Sequence, residues 1–192
     1  MNYVDLATLK AHLGVTTTST DDLLNQTIHT ASRWIDRHCG RRFHTDAGTT
    51  RVAVVPLQHR VIPDPWSDPG QSQLLVDDIA TTTGLTVELG RAPSTWTSYT
   101  SWYADDPKPG WPVTVLRGTW SGTHTRITAV WGWPAVPDEV TQAALLQAAR
   151  LHQRRSSPEG IAGSADWGAL RVTRIDPDVH ALLSPFVLPA IA

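Results

Sequence analysis

The chain has 192 residues, 41% hydrophobic and 18% charged, which supplies enough apolar side chain for a packed core and argues against wholesale disorder. A formal net charge of −2 excludes nucleic-acid binding through bulk positive charge, while leaving room for a local basic patch. A single cysteine, Cys39, excludes an intrachain disulfide framework and a four-cysteine zinc site, and no apolar run reaches the roughly 18–20 residues of a membrane helix. The start, Met-Asn-Tyr-Val-Asp-Leu, lacks the basic-then-apolar pattern of a secretory signal. The expectation is one domain, or one domain carrying an insertion, in a reducing cytoplasm and away from membranes.

The first element is a helix over residues 6–13, capped by Asp5 and ended by Gly14, with Leu6, Leu9 and Leu13 on one face. Thr20 or Asp21 caps a longer helix, and Leu24, Ile28, Ala31 and Ile35 form its buried stripe until Gly40 closes it. From about residue 50 the period changes. Short strands are expected over residues 51–57, 74–79, 85–89, 95–103, 113–117 and 125–131, with a Pro- and Gly-marked loop between the first two. Helix returns after Pro137 and runs to Arg155, with acids Asp138 and Glu139 at its start and arginines at its end. Residues 161–168 are small and loop-like, residues 170–174 alternate like an edge strand, and residues 178–183 form a last short helix.

This order predicts an α+β fold: a small helical core, in which the N-terminal helices pack on the long C-terminal helix, with an inserted antiparallel β-rich region. The expected parts are residues 1–49, 50–133 and 134–192. Neither helical end buries its apolar stripe alone, so the two ends are expected to fold together.

Catalytic and metal-binding constellations are mostly missing. There is no phosphate-binding glycine loop, and Ser121 is misplaced for a nucleophile elbow in Gly118-Thr119-Trp120-Ser121-Gly122, which reads as a tight turn. His38 and Cys39 are adjacent on a helix and point about 100° apart, so with His44 they make a poor metal set. Asp77-Asp78 and Asp105-Asp106 suggest hydrolytic acid pairs, but neighbours on a strand face opposite ways and turn chemistry explains the second pair. No catalytic residue, cofactor or metal is assigned.

Two features remain. Arg33, Arg37 and Arg41 lie four apart on one helical face. Residues 29–60 carry six arginines against Asp36 and Asp46, a local net of +4, whereas residues 64–106 carry seven acids against Arg91, a local net of −6. Solvated faces explain this for a monomer; alternatively, opposite patches meet between copies in a ring. Seven of the nine tryptophans fall between Trp66 and Trp133. They read first as core or interface anchors, with a carbohydrate platform around Trp96 and Trp102 as the alternative.

Two groups of stretches together resemble a known family. One comprises residues 3–14 and Ala31-Ser32-Arg33-Trp34-Ile35-Asp36-Arg37-His38-Cys39-Gly40-Arg41-Arg42-Phe43. The other comprises Trp131-Gly132-Trp133-Pro134-Ala135-Val136-Pro137-Asp138-Glu139-Val140, residues 143–151 and residues 154–160. They resemble head-to-tail connector (adaptor) proteins of long-tailed bacteriophages, over about the first 43 residues and most of the last 60. The β-rich middle departs from the compact helical members. The resemblance implies a structural virion protein and no enzyme. It implies a ring, typically dodecameric, beneath the portal, joining capsid to tail and extending the DNA channel. Implied partners are further copies of the chain, the portal protein, the next neck or tail protein, and passing DNA through transient non-specific contact. The implied location is the virion neck, with assembly in the host cytoplasm.

On this reading Arg33, Arg37, Arg41, Arg150, Arg154 and Arg155 are candidates for a subunit interface or the channel. Trp167, Leu170, Val172 and Phe186 are candidates for portal docking, on a loose segment that orders on assembly. A neck stopper or tail-completion protein is the alternative within phage neck proteins. A Trp-rich carbohydrate-binding module and a hydrolase using the paired acids are the alternatives outside it.

Overall fold

The structure, a computed structural model, describes residues 1–45, 51–64, 70–91, 95–105, 107–154, 161–162, 170–171 and 176–188, with the backbone alone at 161–162 and 170–171. The chain divides into two compact units, Met1–Arg42 with Val136–Ala192, and Phe43–Ala135. The two helical ends therefore share one unit, and the β-rich middle forms the other.

In the helical unit, α1 spans Leu6–Leu13 and α2 spans Asp21–Cys39. The Asp5 carboxylate accepts the Thr8 backbone N–H at 2.7 Å, and Gly14 ends α1 at φ +68°. That left-handed turn suits glycine because it has no Cβ to meet the following carbonyl. The stripe Leu24, Ile28, Ala31, Ile35 and Cys39 is buried along α2. Ser32 joins it, because its hydroxyl donates to the Ile28 carbonyl (2.9 Å) and accepts the Tyr3 N–H (3.1 Å).

Helix α3, Asp138–Arg154, packs against α1, α2 and α4, and its buried Ala143, Ala144, Ala148 and Ala149 allow that close approach. Helix α4, Pro177–Leu183, is capped by Asp176, places Pro177 in its first turn, and buries Val179 and Leu183. A 3-10 turn follows at Ser184–Phe186, and the Leu188 N–H then donates to the Cys39 carbonyl at the end of α2 (3.0 Å).

The β unit is a seven-stranded antiparallel sheet: β1 Arg51–Pro56, β2 Val61–Pro63, β3 Ser72–Arg91, β4 Thr95–Tyr99, β5 Trp102–Ala104, β6 Val113–Gly118 and β7 His124–Trp131. The order is β1-β7-β3-β6-β5, with β2 and β4 also pairing to β3. Strand β7 alternates cleanly, burying Thr125, Ile127, Ala129 and Trp131. The three apolar members join Leu74, Val76, Ile79, Val87, Val113 and Leu116 in the core.

Several expectations differ from this outcome. The strands expected at 74–79 and 85–89 are parts of one 20-residue strand, β3. Pairing with β6 at residues 72–79 and with β7 at residues 79–81 and 86–90 continues on both sides of residues 82–85, which bulge out between Thr81, opposite Val130, and Thr86, opposite Thr128. Strand β2 lies where a loop was expected, and the single strand expected at 95–103 is split into β4 and β5. Ile161–Ala162, expected in a loop, forms β8, which pairs with β9, Leu170–Arg171.

The chain passes between units at 42/43 and 135/136, where the sequence suggested 49/50 and 133/134. The reason is aromatic packing: the buried Phe43 ring sits 5.1 Å from Trp133, and Trp133 sits 5.1 Å from Trp111. Both chain crossings are thereby drawn into the β unit. Gly132, at φ +112°, is required there, since a Cβ would fall 2.1 Å from the His44 carbonyl oxygen.

Candidate functional site

The arginines at four-residue spacing share one helical face. Arg33, Arg37 and Arg41, with His29, Arg42 and Asp36, line an open cleft of about 570 Å³ along the C-terminal half of α2. The spacing places them there because four residues exceed one helical turn only slightly. Asp36 is the single acid among the lining residues, and it is already engaged. Arg33 binds it at 2.8 Å, and the Tyr3 hydroxyl donates to its other oxygen. Arg33 also donates to the Met1 carbonyl (2.7 Å), so it has a structural role. Arg37 and Arg42 are exposed and have no ion-pair partner among the described residues. The cleft therefore presents fixed positive charge beyond what Asp36 compensates, and it suits an anionic surface.

The other candidates are distributed differently. Arg150 reaches Asp176, the cap of α4, at 3.9 Å, and Arg154 is exposed at the end of α3. Arg155, Trp167 and Val172 lie outside the described residues. Leu170 lies in β9, where it pairs with Ala162. Phe186 is only 4% exposed, so its ring is part of the helical core rather than displayed for docking, while Val187 and Leu188 beside it are exposed.

The described acids of the acidic segment are each engaged by a partner within the β unit. Asp64 and Asp105 both bind Arg117, Asp77 binds Arg60 at 3.1 Å, and Glu88 binds Arg126 in a two-pronged pair. Asp78 accepts the Trp133 indole N–H at 3.0 Å. The Arg126 hydrogen bonds lower the Glu88 pKa and hold it charged, and hydrogen bonding to Asp105 chiefly raises that of Arg117. Asp68 and Asp106 lie outside the described residues. These acids thus serve as cross-strand braces. Sequence alone missed the pairings because they depend on which strands become neighbours.

The tryptophans are largely tied into the sheet. The indole N–H groups of Trp102, Trp120, Trp131 and Trp133 each donate to a protein oxygen. Trp96 stacks under Arg126, with the guanidinium carbon 5.1 Å from the ring centre. Among the described Trp, Tyr and Phe side chains, Tyr103 is the one on open surface. Cys39 is fully buried, and burial pushes its thiol up to about 11. His38 stacks on Trp34 at 5.0 Å, and burial, aided by His180, lowers its pKa. Among the described residues, no three His, Cys, Asp or Glu side chains gather to hold a metal ion, and no helix is long and apolar enough to cross a membrane.

The face of α2 that lines the cleft is basic and open to solvent. Residues 3–86 match the phage gp6-like head-tail connector protein family. The connector match covers α1, α2 with its arginine cleft, and the sheet as far as Thr86 in β3, so it reaches well past the 43 residues on which the N-terminal resemblance rests. Among solved structures, one similar chain comes from the neck of an empty GTA particle computed with C6 symmetry. It shares 20% identity, covers 97% of this chain and 90% of its own, and gives a TM-score of 0.54. Another comes from the neck of a native GTA particle computed with C12 symmetry, at 19% identity, the same coverage and a TM-score of 0.49. The first shares the fold with this chain. Comparison with curated proteins gives no match.

Proposed function

We propose that this chain is a structural neck component of a tailed phage or phage-like particle, an adaptor whose copies form a ring beneath the portal. The ring, of twelve copies, joins capsid to tail and continues the DNA channel, and the protein catalyses no reaction. The observation that carries this reading is the connector match over residues 3–86, supported by a fold shared over nearly the full chain with a GTA neck protein. The α2 cleft fits the role: in a ring it faces either acids of the next copy or the phosphates of passing DNA. A channel must let DNA slide, and a chain with net charge −2 avoids the strong phosphate neutralisation that would hold it. Assembly takes place in the host cytoplasm, and the finished location is the virion neck.

Electron microscopy of the protein mixed with its candidate portal tests this. The expected result is a ring seated on the portal's tail-side end. A ring that instead docks only on an already occupied neck assigns the chain to the stoppers or tail-completion proteins. A chain that stays single at high concentration and ignores the portal overturns the proposal.

A further inference from the structure

The sheet of the β unit has edges of different character. At β2 the edge is closed, because the Val61 N–H donates to the Leu57 carbonyl (3.2 Å) and Pro63 has no N–H. At β4 the edge displays Thr95, Thr97 and Ser98. At β1, between Arg51 and Pro56, it is apolar and uncovered by any described residue. The Leu57 N–H donates to the Thr123 carbonyl (3.0 Å), extending the β1–β7 register by one residue. The alternation of an antiparallel ladder then turns the backbone of Ala53 and Val55 toward β7 and that of Val52 and Val54 outward. The side chains of Val52 and Val54 are 61% and 50% exposed, and no charged residue interrupts Val52-Ala53-Val54-Val55. Natural edges are normally blunted by charge, proline or cover; at β1 these devices stand only at its ends, Arg51 and Pro56, and leave the outward N–H groups of Val52 and Val54 available for pairing.

The opposite end of the strand order is β5. The Asp105 N–H donates to the Val115 carbonyl (3.2 Å), which continues the register of Tyr103 with Arg117. Tyr103 therefore directs its backbone toward β6, while Trp102 and Ala104 direct theirs outward. Its side chain is 48% exposed, whereas Trp102 and Ala104 pack toward the core.

We infer that β1 of one copy pairs with β5 of the next, so that the sheets of neighbouring subunits join edge to edge. This rests on the ring reading above, and three features agree on it. First, all neighbours along β1-β7-β3-β6-β5 are antiparallel, so the two end strands run in the same direction. Successive copies in a many-membered ring differ by a small rotation, which keeps that direction and makes the new pair parallel. Second, parallel pairing places a residue whose backbone faces the partner opposite one whose backbone faces away. Val54 and Tyr103 are such a pair. Third, that match puts the exposed side chains of Val54 and Tyr103 side by side on one face, while Ala53, Val55, Trp102 and Ala104 stay on the core face. Antiparallel pairing of β1 with β5 would set the core face of one sheet against the outer face of the other.

The test uses the full chain, alone and with its candidate portal. Val54→Pro removes only an outward N–H, so the fold and the β7 ladder persist by circular dichroism, while ring formation falls by about tenfold per interface. A double Val54→Cys, Tyr103→Cys variant gives a ladder of cross-linked multimers on oxidation, because adjacent strands lie within disulfide reach and Cys39 is buried. Val54→Cys alone gives none. Wild-type rings with undiminished Val54→Pro assembly, or without the cross-linked ladder, overturn the edge pairing and leave the adaptor reading standing. Dimers from Val54→Cys alone also overturn it, in favour of β1 pairing with itself. Failure of the wild type to form rings under either condition removes the adaptor reading as well.

Discussion

Both units contain ion pairs, Arg33–Asp36 and Arg150–Asp176 among those of the helical unit, but they differ in where charge is left over. In the β unit Arg60, Arg117 and Arg126 meet Asp77, Asp64 with Asp105, and Glu88, and the pairs tie strands that are distant in sequence. In the helical unit the cations gather along one face of α2, where Asp36 is the one acid among the cleft-lining residues. The same residue type therefore braces a sheet in one unit and decorates an accessible surface in the other. Local sequence charge was a good guide to exposed charge where neighbours along the chain are neighbours in space. It failed where the partners come from other strands.

The largest effect is expected at the aromatic centre of the β unit, which would remove one side of this contrast. Trp133 is 1% exposed, packed between Phe43 and Trp111, and bonded to Asp78. Trp133→Ala is expected to cost about 3–5 kcal/mol, read as a lowered urea midpoint of the β unit's transition. The far-UV helical signal should survive that transition if the units unfold separately; simultaneous loss would show that they are coupled.

A smaller effect is expected at the helix end marked by Gly14. Its φ of +68° with no atom within 4 Å of an added Cβ isolates the backbone cost, so Gly14→Ala should lower stability by roughly 1–2 kcal/mol. Thermal unfolding followed at 222 nm measures this.

Charge substitutions address the two units directly. Arg37 is exposed and has no ion-pair partner among the described residues, so Arg37→Glu should change stability by less than about 0.5 kcal/mol. Assembly should nevertheless weaken, and added salt should imitate the substitution in the wild type. Arg117→Leu should do the reverse, lowering the stability of the β unit by leaving Asp64 and Asp105 without their cation. Sedimentation and urea titration of the two variants separate these outcomes.

The mildest probe is pH. The His38 pKa is lowered in the folded chain, so its contribution is complete above the ordinary value of 6.5 and is lost as pH falls through the folded value. The Glu88 pKa is also lowered, so its contribution is present above 4.5 and is lost at lower pH. The helical unit should therefore soften first on acidification. His38→Gln should flatten the dependence below pH 6.5, and Glu88→Gln the one below pH 4.5, each followed as a shift in urea midpoint.

The helices, their caps and their buried faces were readable from the chain alone. Asp5, Gly14, Gly40 and the Leu24-Ile28-Ala31-Ile35 stripe act within one or two turns, so their consequences are local. The connector resemblance and the alignment of Arg33, Arg37 and Arg41 were legible for the same reason. Three outcomes came instead from partners distant in sequence. Pairing with β6 and β7 on either side of a bulge at residues 82–85 joins two stretches into one long strand, packing in the helical unit buries Phe186, and cross-strand arginines match described acids of the middle region. Strand pairing and ion pairing join residues tens of positions apart, so no local pattern encodes them until the sheet has formed.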